Sequence, residues 1–114
     1  MIFVVDDNRE MAECIVRATR REARIFGNAY EAMDALSDEL PELIFLDILL
    51  DGPDGFTFLN ELMSYSDTEK VPVVIVTSLD LARKDLSAYG VVGVLNKDTM
   101  TPKEIRSYAD EYAK

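Results

Sequence analysis

Histidine and tryptophan are absent from the 114 residues, and Cys14 is the only cysteine. A single cysteine excludes a disulfide within the chain, which is compatible with a reducing compartment, and we expect a cytoplasmic protein. Cys14 itself is expected to lie in the core. Without histidine a His/Cys zinc cluster is excluded, so any metal must be held by oxygen ligands. The sequence also lacks a P-loop and a GxGxxG pattern, so Gly52 and Gly55 are interpreted as turn residues.

Basic residues are scarce, because 12 lysines and arginines stand against 22 acids and give a formal net charge of −10. Such a surface repels nucleic acid, and no basic stripe offsets the repulsion, so direct nucleic-acid binding is not expected. No apolar run is long enough to span a membrane, and the N-terminus lacks the pattern of a signal peptide, so no membrane partner is expected. Linkers, repeats and low-complexity segments are missing too, and we expect residues 1–114 to form a single domain.

Short apolar runs alternate with helical patterns along the chain. The runs are mostly unbroken, as is typical of strands covered on both faces. They are MIFVV at 1–5, ARIF at 23–26, LIFL at 43–46, VPVVIV at 71–76 and VVGVL at 91–95. This five-fold β-α order predicts an α/β fold with a parallel sheet, helices on both faces and right-handed crossovers.

Apolar spacing and capping residues predict a helix after each strand. The first helix is indicated by one apolar face, Met11, Cys14, Ile15 and Ala18, and the second by the capping pair Asn28 and Glu31. The third is indicated by Leu59, Leu62 and Met63 after Gly55, and the fourth is expected to run from Asp80 to Tyr89 and to stop at Gly90. For the last helix, the capping sequence Thr101-Pro102-Lys103-Glu104 precedes an apolar stripe of Ile105, Tyr108, Ala109 and Tyr112. The two tyrosines of this stripe are expected to pack the last helix against the sheet.

Polar side chains end four of the five apolar runs. Asp6 and Asp7 follow the first run, Asp47 the third, Thr77 the fourth and Lys97 the fifth. Because the ends of parallel strands meet at one edge of the sheet, these groups are expected to converge where such folds bind ligands. Clustered carboxylates suit a hard cation such as Mg²⁺, and the hydroxyl and the ammonium add donors that a phosphoryl group needs. Asp47 is a suitable nucleophile, since carboxylates can form acyl phosphates.

This set of strand-end residues resembles the receiver domain of two-component response regulators, and all five positions match in order. The resemblance covers the whole chain and implies a flavodoxin-like, doubly wound (βα)5 fold with a five-stranded parallel sheet of order 2-1-3-4-5. It implies a signalling module and not an enzyme, one that takes a phosphoryl group from a histidine kinase or phosphotransfer protein and switches a surface for a downstream protein partner. It is also compatible with a weak homodimer.

The resemblance also implies a role for each site residue. Asp47 is the phosphoacceptor, while Thr77 and Lys97 contact the phosphoryl group. Mg²⁺ is the implied cofactor, and its implied ligands are Asp6, Asp7, Asp47 and the backbone carbonyl of Leu49.

Several positions depart from the family pattern. Asp98 follows Lys97 where the family usually has a proline, often with a cis bond, and Val94 replaces the aromatic switch residue. Leucines stand at 49 and 79, where polar residues are frequent. Val94 has no aromatic ring and few rotamers, so it cannot act as the family's aromatic switch. We expect Leu49 and Leu79 to shield the phosphoryl group from water and to lengthen the lifetime of the phosphorylated state.

Other functions share parts of this pattern. A Mg²⁺-dependent phosphohydrolase with an aspartyl-phosphate intermediate is one, but Leu49 stands where haloacid-dehalogenase-type phosphatases place a second acid. A receiver-like scaffold that no longer accepts phosphate is another, and the intact set of five argues against it. A flavodoxin is more distant, since acids and not a Ser/Thr/Gly-rich loop follow the first strand. Taken singly, Asp6 or Asp7 could cap the first helix, Thr77 could cap the helix that follows it, and Lys97 could be a surface residue.

Overall fold

The structure of the chain is a computed structural model that describes residues 1–48, 55–78 and 89–113. The described residues form β1 (Ile2–Val5), α1 (Arg9–Thr19), β2 (Ala23–Phe26), α2 (Ala29–Leu36), β3 (Leu43–Asp47), α3 (Gly55–Met63), β4 (Val73–Thr77), β5 (Val91–Asn96) and α4 (Pro102–Tyr112). Residues 80–88 of the predicted fourth helix, together with Leu49, Gly52 and Leu79, lie outside the described residues. Within the described part of the chain, no helix is long and apolar enough to cross a membrane.

The five strands form one parallel sheet in the order β2-β1-β3-β4-β5, which confirms the predicted flavodoxin-like topology. The strands agree closely with the apolar runs, except that β4 begins only at Val73. Pro72 precedes it and has no N–H to donate to a neighbouring strand. Asp47 and Thr77 are the last residues of β3 and β4, so their side chains emerge at the carboxyl edge of the sheet.

Buried side chains alternate between two apolar clusters, one on each face of the sheet. On β1, Phe3 and Val5 belong to one cluster and Ile2 and Val4 to the other, because successive side chains of a strand point to opposite faces. Helices α2 and α3 cover the first cluster, and α1 and α4 cover the second. The fold is therefore doubly wound, and β1, β3 and β4 are buried on both faces as their unbroken apolar runs predict, while the edge strands β2 and β5 are partly exposed.

Side-chain caps start three of the helices. Asn28 accepts a hydrogen bond from the N–H of Glu31 at 2.9 Å, and Thr101 forms a reciprocal capping box with Glu104, as predicted. Helix α1 is capped by Asn8, whose side chain accepts from the N–H three residues later at 3.1 Å. Because Asn8 takes this role, the two acids that precede it remain available for other contacts.

The placement of Cys14 contradicts its prediction, because its side chain is exposed and not part of the core. Helix α1 buries a stripe that includes Ala12, Ile15 and Ala18. Cys14 immediately precedes Ile15 and is therefore turned by about 100° around the helix axis, away from the centre of that stripe. Its sulfur instead lies 3.3 Å from a guanidinium nitrogen of Arg17.

Candidate functional site

Three carboxylates meet at the carboxyl edge of the two adjacent strands β1 and β3. Asp6 and Asp7 directly follow β1, and Asp47 ends β3. One oxygen from each of the three carboxylates can be chosen so that all lie within 4.8 Å of one another. Asp6 is 2% exposed and Asp47 is 5% exposed, whereas Asp7 is open to solvent. The structure thus brings together the three acids that the strand ends predict.

Lys97 connects β5 to this cluster. Its ammonium donates a hydrogen bond to Asp47 Oδ2 at 3.0 Å and lies 3.2 Å from Asp6 Oδ2. The N–H of Lys97 also donates to the backbone carbonyl of Thr77 at 2.9 Å, and Thr77 itself is fully buried. One cation therefore faces two buried carboxylates, and the backbone joins it to the end of β4.

The cluster changes the proton affinity of two of its members. Burial raises the pKa of Asp6, and the charge of Asp47 adds to that effect, although the N–H of Asn8 at 2.8 Å and the charge of Lys97 oppose it. Burial alone would lower the pKa of Lys97, but its hydrogen bond to Asp47 and the charges of both acids outweigh burial and raise it. Lys97 therefore stays protonated and supplies a positive charge to the site.

The donor set fits a divalent cation. Asp6 Oδ2 is buried and faces the Lys97 ammonium at 3.2 Å, a cation that it shares with Asp47 Oδ2. Among the described residues of the site, three carboxylates against one ammonium leave an excess of negative charge, which a cation would neutralise. Carboxylate oxygens on a partly open site are ligands that Mg²⁺ accepts while keeping several waters. The exposed side of the cluster is formed by Asp7.

Gly55 was predicted to be a turn residue that precedes the third helix, but it is the buried first residue of α3. Its N–H donates to the carbonyl of Ile48 at 3.0 Å. A Cβ at this position would lie 2.5 Å from Ile48 Cα and 3.0 Å from the carbonyl oxygen of Asp47. The missing side chain lets α3 begin in direct contact with the backbone that carries Asp47. A glycine that opens an apolar helical pattern soon after a strand-end acid was the available signal.

Asn8 was also missed as a residue that orders the cluster. Its N–H donates to Asp6 Oδ1 at 2.8 Å, while its own side chain caps α1. The start of α1 thus holds one oxygen of Asp6 and leaves the other oxygen turned to Lys97. An asparagine directly before a helical pattern was the signal for this cap.

Val94 and Asp98, which depart from the family pattern, lie on β5 and in the turn that follows it. Val94 is half-buried and packs against the cluster that contains Phe58 and Ile75. No described peptide bond is cis, so the bond between Lys97 and Asp98 is trans. The N–H of Asp98 donates to the side chain of Asn96 at 2.8 Å, which makes a tight polar turn directly after the strand.

Comparisons with known proteins identify the family. The sequence matches the response regulator receiver domain over residues 2–110, and the chain belongs to this family. The response regulator PleD of Caulobacter vibrioides is 34% identical over 82 residues, which are 69% of this chain and 18% of PleD. The structure of the receiver domain of NtrX from Brucella abortus has a TM-score of 0.81 and 26% identity, and the match covers 98% of this chain and 97% of that one.

Some relatives carry an enzymatic name. A protein-glutamate methylesterase/protein-glutamine glutaminase of Rhodopseudomonas palustris is 33% identical over 90 residues, which are 75% of this chain and 24% of that protein. The chain thus spans less than a quarter of either curated relative, PleD or the methylesterase. The shared part is the receiver domain, so the predicted resemblance and fold are confirmed. The activities of the longer relatives are not assigned to this chain.

Proposed function

We propose that residues 1–114 form one phosphoacceptor receiver domain with a signalling and not a metabolic role. Asp47 would accept a phosphoryl group from a histidine kinase or phosphotransfer protein, and the domain would then present a changed surface to a downstream protein. One observation carries the proposal: the buried Asp47 carboxylate lies at the carboxyl edge of the sheet with an ammonium 3.0 Å away and two further carboxylates beside it. Membership of the receiver family supports it.

In the proposed step, a phosphoryl group moves from a nitrogen or oxygen atom of the donor to a carboxylate oxygen of Asp47. A carboxylate oxygen of Asp47 forms the new bond to phosphorus, and the bond from phosphorus to the donor's nitrogen or acyl oxygen breaks with its electron pair. The hydrogen bond from Lys97 to Asp47 Oδ2 holds the carboxylate in place before transfer. Lys97 and Thr77 then donate to phosphoryl oxygens, where negative charge concentrates.

The approach of a phosphate dianion to three acids requires added positive charge. Asp6, Asp7, Asp47 and the carbonyl of Leu49, which lies outside the described residues, would hold Mg²⁺, which neutralises carboxylate and phosphoryl oxygens when bound. The buried Asp6 Oδ2 supports this assignment, because it faces the Lys97 ammonium at 3.2 Å and shares that cation with Asp47. Lys97 alone offsets only part of the negative charge of the cluster.

Incubation with acetyl phosphate and Mg²⁺, followed by intact-mass measurement, tests this function. The parent should gain one phosphoryl group, and Asp47→Asn should gain none while keeping its fold by circular dichroism. Asp38→Asn removes an exposed acid after α2 and should label like the parent. Labelling of Asp47→Asn to the parent's extent would show that another residue is the acceptor.

A further inference from the structure

A cavity of about 440 Å³ lies between the C-terminal halves of α2 and α3. Met33 and Leu36 of α2 and Phe58 and Leu62 of α3 supply its apolar lining. This volume is in the range of sites that hold a small ligand or a large side chain. Helices of a doubly wound fold run antiparallel to their strands, so the cavity lies toward the end of the sheet opposite Asp47.

Helix α2 packs on the sheet through a stripe of small residues. Ala29, Ala32 and Ala35 form this stripe and are buried. Met33 and Leu36 lie beside this stripe and remain partly exposed. The partly exposed apolar surface at the cavity therefore comes from α2, while Phe58 and Leu62 of α3 line it as almost fully buried residues.

The rim of the cavity is acidic. Asp34 of α2, Glu61 of α3 and Asp67 in the following loop all line it and are exposed. None of the described residues that line this cavity is a lysine or an arginine. An apolar floor under an acidic rim is complementary to an apolar side chain flanked by positive charges.

The wall that follows α3 is held in place by its own hydrogen bonds. The hydroxyl of the buried Thr68 donates to the carbonyl of Leu62 at 2.6 Å, and the N–H of Glu69 donates to the carbonyl of Tyr65 at 3.0 Å. Tyr65 lines the cavity and is 59% exposed, so it offers a ring to an occupant. A preformed wall lowers the entropic cost of binding, because little of it must be ordered.

We propose that this cavity between α2 and α3, called the α2–α3 groove below, binds a basic amphipathic helix of a partner protein. A leucine-sized side chain would enter the cavity, and lysines or arginines one turn away would lie near Asp34, Glu61 and Asp67. Charge selects this occupant: a second copy of a chain with net charge −10 brings few cations, and an acidic segment is repelled. The groove lies away from the Asp47 cluster, so the proposal stands independently of phosphoryl transfer.

A designed peptide probes the groove directly. The probe is an alanine-based helical peptide with leucines on adjacent turns and lysines beside them, and its binding is followed by fluorescence anisotropy and by amide shifts of the labelled protein. We expect shifts centred on Met33, Leu36 and Leu62. Asp34→Asn and Glu61→Gln should each weaken binding by up to about fivefold, as expected for loss of one exposed ion pair.

Matched controls separate the groove from general attraction to an acidic protein. Glu10→Gln removes an exposed acid on α1 and should bind the peptide like the parent. A peptide with glutamates for the lysines, or one with alanines for the leucines, should not bind. All groove variants should still label at Asp47.

Several results would overturn the proposal. They are absence of binding, an equal loss in Glu10→Gln, undiminished binding of the leucine-free peptide, and shifts centred elsewhere. Concentration-dependent shifts at the groove without peptide would identify a second copy of the chain as the occupant, and this too would overturn it.

Discussion

Replacing Lys97 by methionine should destabilise the Mg²⁺-free protein strongly. The ammonium lies 3.0 Å from Asp47 Oδ2 and 3.2 Å from Asp6 Oδ2, and both of these carboxylates are buried. Removing one partner of a buried ion pair typically costs about 3–5 kcal/mol, because the remaining charge is left uncompensated. The Lys97 side chain is 16% exposed and methionine keeps most of its packing, so we expect the lower end, about 3 kcal/mol.

Urea unfolding in EDTA measures this loss. With a slope of about 2 kcal/mol per molar urea, the midpoint should fall by about 1.5 M. Lys70→Met, at an exposed lysine, should change the free energy of unfolding by less than about 0.5 kcal/mol. Adding Asp6→Asn to Lys97→Met should restore part of the loss, since it removes one uncompensated charge. An equally or more stable Lys97→Met variant would refute the view that Lys97 holds the acids together.

The remaining predictions concern the protons, the metal and the backbone of the site. Because the folded pKa of Asp6 is raised above its ordinary 3.8, this residue contributes stability at low pH that is lost as pH rises through the folded pKa. Urea midpoints of the Mg²⁺-free protein should show this loss, and Asp6→Asn should reduce it. Asp7→Asn should diminish the upward shift of Tm caused by Mg²⁺, and an unchanged shift would count against Asp7 as a ligand. Gly55→Ala should cost about 1–3 kcal/mol and slow labelling, because its Cβ would meet Ile48 Cα at 2.5 Å, whereas Gly27→Ala meets nothing within 4 Å and serves as control.

The sheet and the meeting of the acids could be predicted from the sequence because both follow from chain order. Once the apolar runs are strands of one parallel sheet, the residues that end them must share an edge. Asp6 and Asp47 follow two runs that pair directly in the observed sheet, and the structure places their carboxylates together. Strand order itself required the family resemblance, since the alternation of elements alone fits several doubly wound topologies.

Other features depend on packing that the pattern does not contain. The reach of Lys97 to two carboxylates depends on its rotamer, which the surrounding chain selects. The contact of Gly55 with Ile48 depends on the distance between α3 and the end of β3. Cys14 was misplaced because its spacing to Ala18 fits an apolar face, while its position next to Ile15 turns it outward.

The most direct test of the central claim is to locate the phosphoryl group by chemistry. The protein is phosphorylated with acetyl phosphate and Mg²⁺, reduced with borohydride so that an aspartyl phosphate becomes homoserine, and mapped by peptide mass spectrometry. We predict conversion at Asp47 alone, which requires both acetyl phosphate and Mg²⁺. Conversion at Asp6, Asp7 or an acid outside the cluster, or no conversion at any residue, would contradict the assignment of Asp47 as the phosphoacceptor.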